Sequence, residues 1–102
     1  MDFKELGSRL GIDEEDFMEL VELFVTTSLS DIEKIKTGVA QNNPGDVAAA
    51  SHSIKGASGN MGFDDIFALS KDMEMQAKNG SLENFDSYIK DLEAGVNSLI
   101  ND

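Results

Sequence analysis

Cysteine and tryptophan are absent from this 102-residue chain, and histidine and proline each occur once. Without cysteine there is no disulfide framework, no thiolate nucleophile and no thiolate metal site, which fits a reducing compartment. Basic residues are scarce too. Eight Lys and Arg stand against 20 Asp and Glu, a formal charge of −12, and such a field repels phosphate backbones and anionic lipid surfaces. Nucleic-acid and membrane partners are therefore not expected. The charge reads either as a solvated surface or as steering toward a basic partner. No apolar run approaches membrane-spanning length, and the N-terminus carries Asp2, Lys4 and Glu5 rather than a basic stretch followed by an apolar one. The expected location is the cytoplasm and the expected state a monomer.

Strand-like alternation is missing as well, so the expected fold is all-α. A length of 102 residues with 40% apolar content suits a single domain over residues 1–102. Phe3, Leu6 and Leu10 predict a short first helix that stops at Gly11 and lies across one end of the main body. Asp13 caps the next helix, with Glu14, Glu15 and Asp16 at the positive end of its dipole. Its stripe is Phe17, Leu20, Val21, Phe24, Ser28, Ile32, Ile35 and Val39, ending near Gln41 and Asn42 ahead of Pro44.

Asn43 and Pro44 read as cap and first residue of a third helix with the stripe Val47, Ala50, Ser51, Ile54, Ser58 and Met61. Asp64 or Asp65 is expected to cap a fourth, with Ile66, Leu69, Met73 and Ala77 inward and Gly80 as its stop. Ser81 is expected to cap the last, carrying Leu82, Phe85, Ile89, Leu92, Val96 and Leu99. Four longer helices with short links predict an up-down-up-down antiparallel four-helix bundle, plus the short N-terminal helix.

The chemistry concentrates on the third helix, in the run Ser51-His52-Ser53-Ile54-Lys55-Gly56-Ala57-Ser58-Gly59-Asn60-Met61-Gly62. Helical spacing places His52, Lys55, Gly56 and Gly59 on one strip, and His52 lies roughly 160° from Ile54, away from the core stripe. Ala48 and Ala49 precede His52 by one turn. Glycine inside a helix costs about 1 kcal/mol relative to alanine, so Gly56 and Gly59 together forgo roughly 2 kcal/mol. Close approach of another molecule beside His52 accounts for that cost; tight packing of a neighbouring helix is the other explanation.

An exposed neutral imidazole, with an unperturbed pKa of about 6.5, is a competent nucleophile toward phosphorus or carbon. A phosphoryl group on His52 would lie within reach of the Lys55 ammonium one turn away. Other chemistries fit less well. One His, no Cys and scattered carboxylates make a poor metal ligand set, so no metal site is expected. Ser51, Ser53 and Ser58 lack a nucleophile-elbow motif. The spacing of Gly56, Gly59 and Gly62 follows no strand, so it is not a nucleotide loop. With no ATP site of its own, the chain reads as something other than a kinase, and a phosphoryl group would have to be supplied by a partner.

The run from Ala50 to Gly62 resembles the signature of histidine-containing phosphotransfer (HPt) domains of bacterial and fungal phosphorelays and chemotaxis kinases, and the likeness extends over nearly the whole chain. The resemblance implies that His52 is phosphorylated through Nε2, that Lys55 steadies the phosphoryl oxygens and that Gly56 keeps the surface open. It also implies that Glu74, twenty-two residues after His52, accepts from Nδ1–H, orients the ring and raises its basicity. The plainer reading of Glu74 is an exposed acid beside Met73. An acid there is closer to the chemotaxis-kinase variety, whereas glutamine is familiar in relay modules.

The expected partners are response-regulator receiver domains and a sensor (hybrid) histidine kinase. No cofactor is expected on this chain, and Mg²⁺ is expected on the receiver. Ala48, Ala49, Gly56 and Gly59 are the candidate partner-binding surface, with the Met61-Gly62-Phe63 turn a further candidate unless Met61 and Phe63 simply finish the core. The alternative is a non-catalytic HPt-like module that sequesters a receiver or kinase, with His52 incidental; a structural bundle without a signalling role is a third reading.

Overall fold

The computed structural model describes residues 3–100, among which every regular element is an α-helix. The order is α1 (Phe3–Arg9), α2 (Glu14–Ala40), α3 (Pro44–Met61), α4 (Asp64–Lys78) and α5 (Phe85–Asn97). α2 packs on α3, α3 on α4, α4 on α5 and α5 back on α2, which closes a four-helix ring, while α1 packs on α2. The whole measures 42 × 21 × 17 Å, the long axis following the 27-residue α2. This is the expected antiparallel four-helix bundle with its extra N-terminal helix.

The first boundaries follow local chemistry. Asp13 accepts from the backbone N–H of Asp16 and caps α2. Asn43 does the same for Asp46 at α3, where Pro44 occupies the first turn. Both sit where the sequence places them. α4 starts differently: its N-cap is Phe63, with no side-chain cap, while Asp64 and Asp65 lie in the first turn. The cause is the turn before it. Gly62, at φ 80°, ends α3 in the left-handed region that a side chain disfavours, and the chain re-enters a helix one residue later. Packing fixes Phe63 there, for its fully buried ring meets Phe24 at 5.1 Å and Phe17 at 6.4 Å.

The start of α5 departs further from expectation. Ser81 does not cap it; the helix begins at Phe85 behind Asn84, whose φ is 62°. Gln76 holds the intervening link, donating through Nε2 to the backbone oxygen of Glu83 at 2.6 Å. Leu82 lies in that link, half-buried against the core, and Leu99 is buried just beyond the end of α5.

The core takes most of the expected stripes, including Phe17, Val21, Phe24, Ile32, Ile35, Val47, Ile54, Met73, Leu92 and Val96. Leu20 is an exception at 42% exposed; at about 100° per residue it lies at the edge of the Phe17–Phe24 stripe. Leu10 is exposed too, outside α1, because that helix ends at Arg9 and Gly11 turns the chain at φ 77°. Phe3 and Leu6 carry α1 onto the bundle, with Phe3 5.9 Å from Phe17 and 6.5 Å from Phe63.

Candidate functional site

α3 and α4 pack along their length, and that seam brings His52 and Glu74 together. His52 is exposed, with 64% of its side chain accessible, whereas the Glu74 side chain is 3% exposed. The imidazole Nδ1 lies 2.7 Å from Glu74 Oε2. Lys55 Nζ lies 2.6 Å from Oε1 of the same carboxylate. Lys78, one turn further along α4, reaches Oε2 at 3.2 Å. Glu74 is thus not the exposed acid of the plainer reading; it is a buried anion at the centre of a cationic cluster.

Burial by itself would raise the pKa of Glu74. The hydrogen bonds from Lys55, Lys78 and His52 outweigh that cost and lower it to about 2, so the carboxylate is ionised at neutral pH. An ionised carboxylate only accepts, so Nδ1 must carry a proton to bond with it. In a neutral ring this leaves the lone pair on Nε2, on the opposite side of the imidazole.

The neighbouring surface is built from small residues. Gly45, Ala48, Ala49, His52, Glu74 and Lys78 line an open recess at the N-terminal side of the imidazole. Ala49 is exposed on its rim; Ala48 is buried and forms the floor as part of the core. A Cβ added at Gly56 would meet nothing within 4 Å, so the helix surface there is open. Gly59 differs: a Cβ there would lie 3.2 Å from Cδ2 of the Phe67 ring on α4. Helix packing therefore explains Gly59 and open surface explains Gly56. Phe63 is committed to the core and Met61 is half-buried against it, which removes Phe63 from the candidate surface.

Two features escaped the sequence reading. Lys78 is the first, although Glu74 and Lys78 have the i, i+4 spacing of a helical ion pair. The second is Asp31 on α2, which is 6% exposed and accepts from Ser53 Oγ at 2.8 Å, on the flank of α3 away from Glu74. An acid inside an apolar stripe is its only sequence signal. Among the described residues no three His, Cys, Asp or Glu side chains converge in a metal-binding arrangement, and no helix is long and apolar enough to cross a membrane.

Comparison with known proteins gives consistent results. The model of the Hpt domain family matches residues 19–102, which include the whole seam between α3 and α4. The fold is similar to the crystal structure of histidine-containing phosphotransfer protein B from Pseudomonas aeruginosa PAO1, with a TM-score of 0.83 and 23% sequence identity over 97% of this chain and 86% of that one. No curated protein is a significant sequence match.

Proposed function

Because the chain belongs to the Hpt domain family, the histidine phosphotransfer modules of two-component signalling, we propose that His52 accepts a phosphoryl group from a receiver aspartyl phosphate, or from a kinase, and passes it to the aspartate of another response-regulator receiver. The observation that carries this reading is the Nδ1–Glu74 contact of 2.7 Å, which directs the free Nε2 lone pair outward from an exposed ring. In the accepting step the Nε2 lone pair forms the N–P bond. The bond from phosphorus to the aspartyl oxygen breaks, and the carboxylate leaves with that electron pair. The ring, bonded through both nitrogens, then carries positive charge, which the ionised Glu74 balances. Attack by a second aspartate carboxylate on phosphorus reverses each change.

Lys55 is the residue proposed to hold phosphoryl oxygens as charge accumulates on them. Ala49, Gly56 and the recess floored by Ala48 leave room for a receiver to approach. The receiver supplies the Mg²⁺, and this chain contributes positioning: an orientated nucleophile on a rigid helix. Membership of the Hpt domain family supports the role of an intermediate carrier between a sensor kinase and receivers, working as a cytoplasmic monomer.

Incubation with phosphorylated receivers tests this. Wild-type protein takes up an acid-labile, alkali-stable label and His52→Gln takes up none. A panel of receivers that leaves the wild type unlabelled overturns the transfer reading and favours a module that binds without transferring. Label retained by His52→Gln overturns the residue assignment.

A further inference from the structure

Lys55 accompanies His52 in the sequence motif, but the carboxylate behind the ring holds a second ammonium. Lys78 Nζ is 3.2 Å from Glu74 Oε2, the oxygen that also faces His52 Nδ1, whereas Lys55 has Oε1 to itself at 2.6 Å. The Lys78 side chain is 64% exposed against 25% for Lys55. Lys78 thus has the longer contact, shares its acceptor and is the freer to move. It also borders the recess with His52, Ala48 and Ala49, on the far side of the imidazole from the Lys55 turn of α3.

Charge accounting separates the two lysines. Glu74 contributes one negative charge, which a single ammonium cancels in full. A phosphoryl group brings about −1.5 to −2 at pH 7. Once His52 is phosphorylated, Glu74 balances the positive ring, so Lys55 alone would leave one positive charge to meet the phosphoryl group, whereas Lys55 and Lys78 together offer two.

We propose that Lys78 is a second phosphoryl-holding residue, parked on Glu74 while His52 is free and turning across the recess to the phosphoryl oxygens once His52 is phosphorylated. The inference rests on the reading of His52 as a phosphoryl carrier and extends it to a residue on another helix. Glu74 then has two states: hydrogen-bonded to two lysines and the imidazole in the resting protein, and released by Lys78 but still on Nδ1–H in the phosphorylated one. The exchange needs no backbone movement, since it turns an exposed, flexible side chain.

The test uses the intact chain phosphorylated chemically with phosphoramidate, so that no receiver is required, and follows the phosphohistidine ³¹P resonance against pH. An ammonium in contact with the phosphoryl group favours its dianion. Removing it in Lys78→Ala therefore raises the phosphoryl titration midpoint by about 0.5, a roughly threefold change in proton affinity. Lys78→Arg restores the wild-type midpoint, and Lys78→Gln, close to lysine in length, behaves as Lys78→Ala does. Lys71→Ala, which removes another exposed lysine of α4, leaves the midpoint in place. Superimposable curves for wild type and Lys78→Ala overturn the inference while leaving His52 as the carrier. An equal displacement in Lys71→Ala overturns it too, by reducing the effect to the general field. Failure of the wild type to take label from phosphoramidate or from any receiver brings down the carrier reading and this inference with it.

Discussion

Two buried carboxylates meet α3 from opposite flanks. Asp31 comes from α2 and accepts one hydroxyl, Ser53 Oγ at 2.8 Å, with the largely exposed Lys34 ammonium 3.8 Å away. Glu74 comes from α4 and is met by an imidazole and two ammonium groups, none further than 3.2 Å. Each flank has a surface depression: Asp31, Lys34, Asp46, Ala49 and Ser53 border the groove on the α2 side, and Ala48, Ala49, His52 and Lys78 the recess on the α4 side. Burial and an adjoining hollow are therefore common to both. The difference is what the carboxylate holds: Asp31 fastens a hydroxyl between two helices, whereas Glu74 orientates a titratable, nucleophilic ring that solvent and partners can reach.

Removing the two acids in turn is the strongest way to break that comparison. Glu74→Ala deprives Lys55 and Lys78 of their partner and His52 of its orienting acceptor. We expect a loss of about 3 to 4 kcal/mol in stability, the lower end of the range for a broken buried pair because both lysines can turn to water. Transfer to His52 should slow by about 10- to 100-fold, the usual penalty for losing a group that orients a reactive imidazole. Asp31→Ala leaves an exposed serine free to bond water, costing about 1 kcal/mol, and transfer should stay near wild type. Urea denaturation and receiver-dependent labelling measure both. Equal effects of the two substitutions on transfer would erase the distinction between the flanks.

Acid sharpens the same contrast. The folded-state pKa of Glu74 is lowered from 4.5 to about 2, so as pH falls below 4.5 the unfolded chain takes up this proton first. The stabilisation is complete above about pH 4.5, declines between 4.5 and 2, and is gone below both values. Its full size is about 3 kcal/mol. Glu74→Gln keeps the shape and removes the titration. Stability measured for wild type minus Glu74→Gln should therefore decline across that window, with contributions from the other carboxylates cancelling in the difference. A flat difference would show that the three donors do not hold the carboxylate ionised.

Legibility in the sequence divides along similar lines. The helices, the Asp13 and Asn43 caps and the outward strip of His52, Lys55 and Gly56 all follow from spacing within one helix, which periodicity reports directly. The Glu74 contact crosses between helices. Nothing within α3 or α4 announces it, and it entered through the family resemblance rather than through any residue's own environment. Lys78 was missed because its i, i+4 relation to Glu74 matters only once Glu74 is known to face His52. Asp31 sits among Phe24, Ser28, Ile32 and Ile35, where an apolar stripe hides one acid; only the antiparallel pairing of α2 and α3 supplies its hydroxyl partner. The link before α5 was misread because Ser81 has the chemistry of a cap, while Gln76 ties down the chain beyond it. Local signals sufficed at the Asp13 and Asn43 caps, where side chain and backbone partner are three residues apart, and failed at Asp64, Asp65 and Ser81, where the burial of Phe63 and the Gln76 bond to Glu83 set the helix starts.

The two glycines of the His52 strip give the smallest expected effect and the finest test of which surface is open. Gly56→Ala adds a methyl group where nothing lies within 4 Å, so it should stabilise the bundle by about 0.5 to 1 kcal/mol through helix propensity and a less flexible unfolded chain. Gly59→Ala gains the same propensity but sets its Cβ 3.2 Å from the Phe67 ring, which must yield by a few tenths of an ångström; the two effects should roughly cancel. Thermal melts would then rank Gly56→Ala above wild type and Gly59→Ala close to it. Transfer gives the opposite ranking once the side chain is large. Gly56→Gln stays folded, because it projects into solvent, yet obstructs the receiver beside His52 and slows labelling. A Gly56→Gln protein that is labelled at the wild-type rate would place the receiver on another face of the imidazole, over the recess bounded by Ala49 and Lys78.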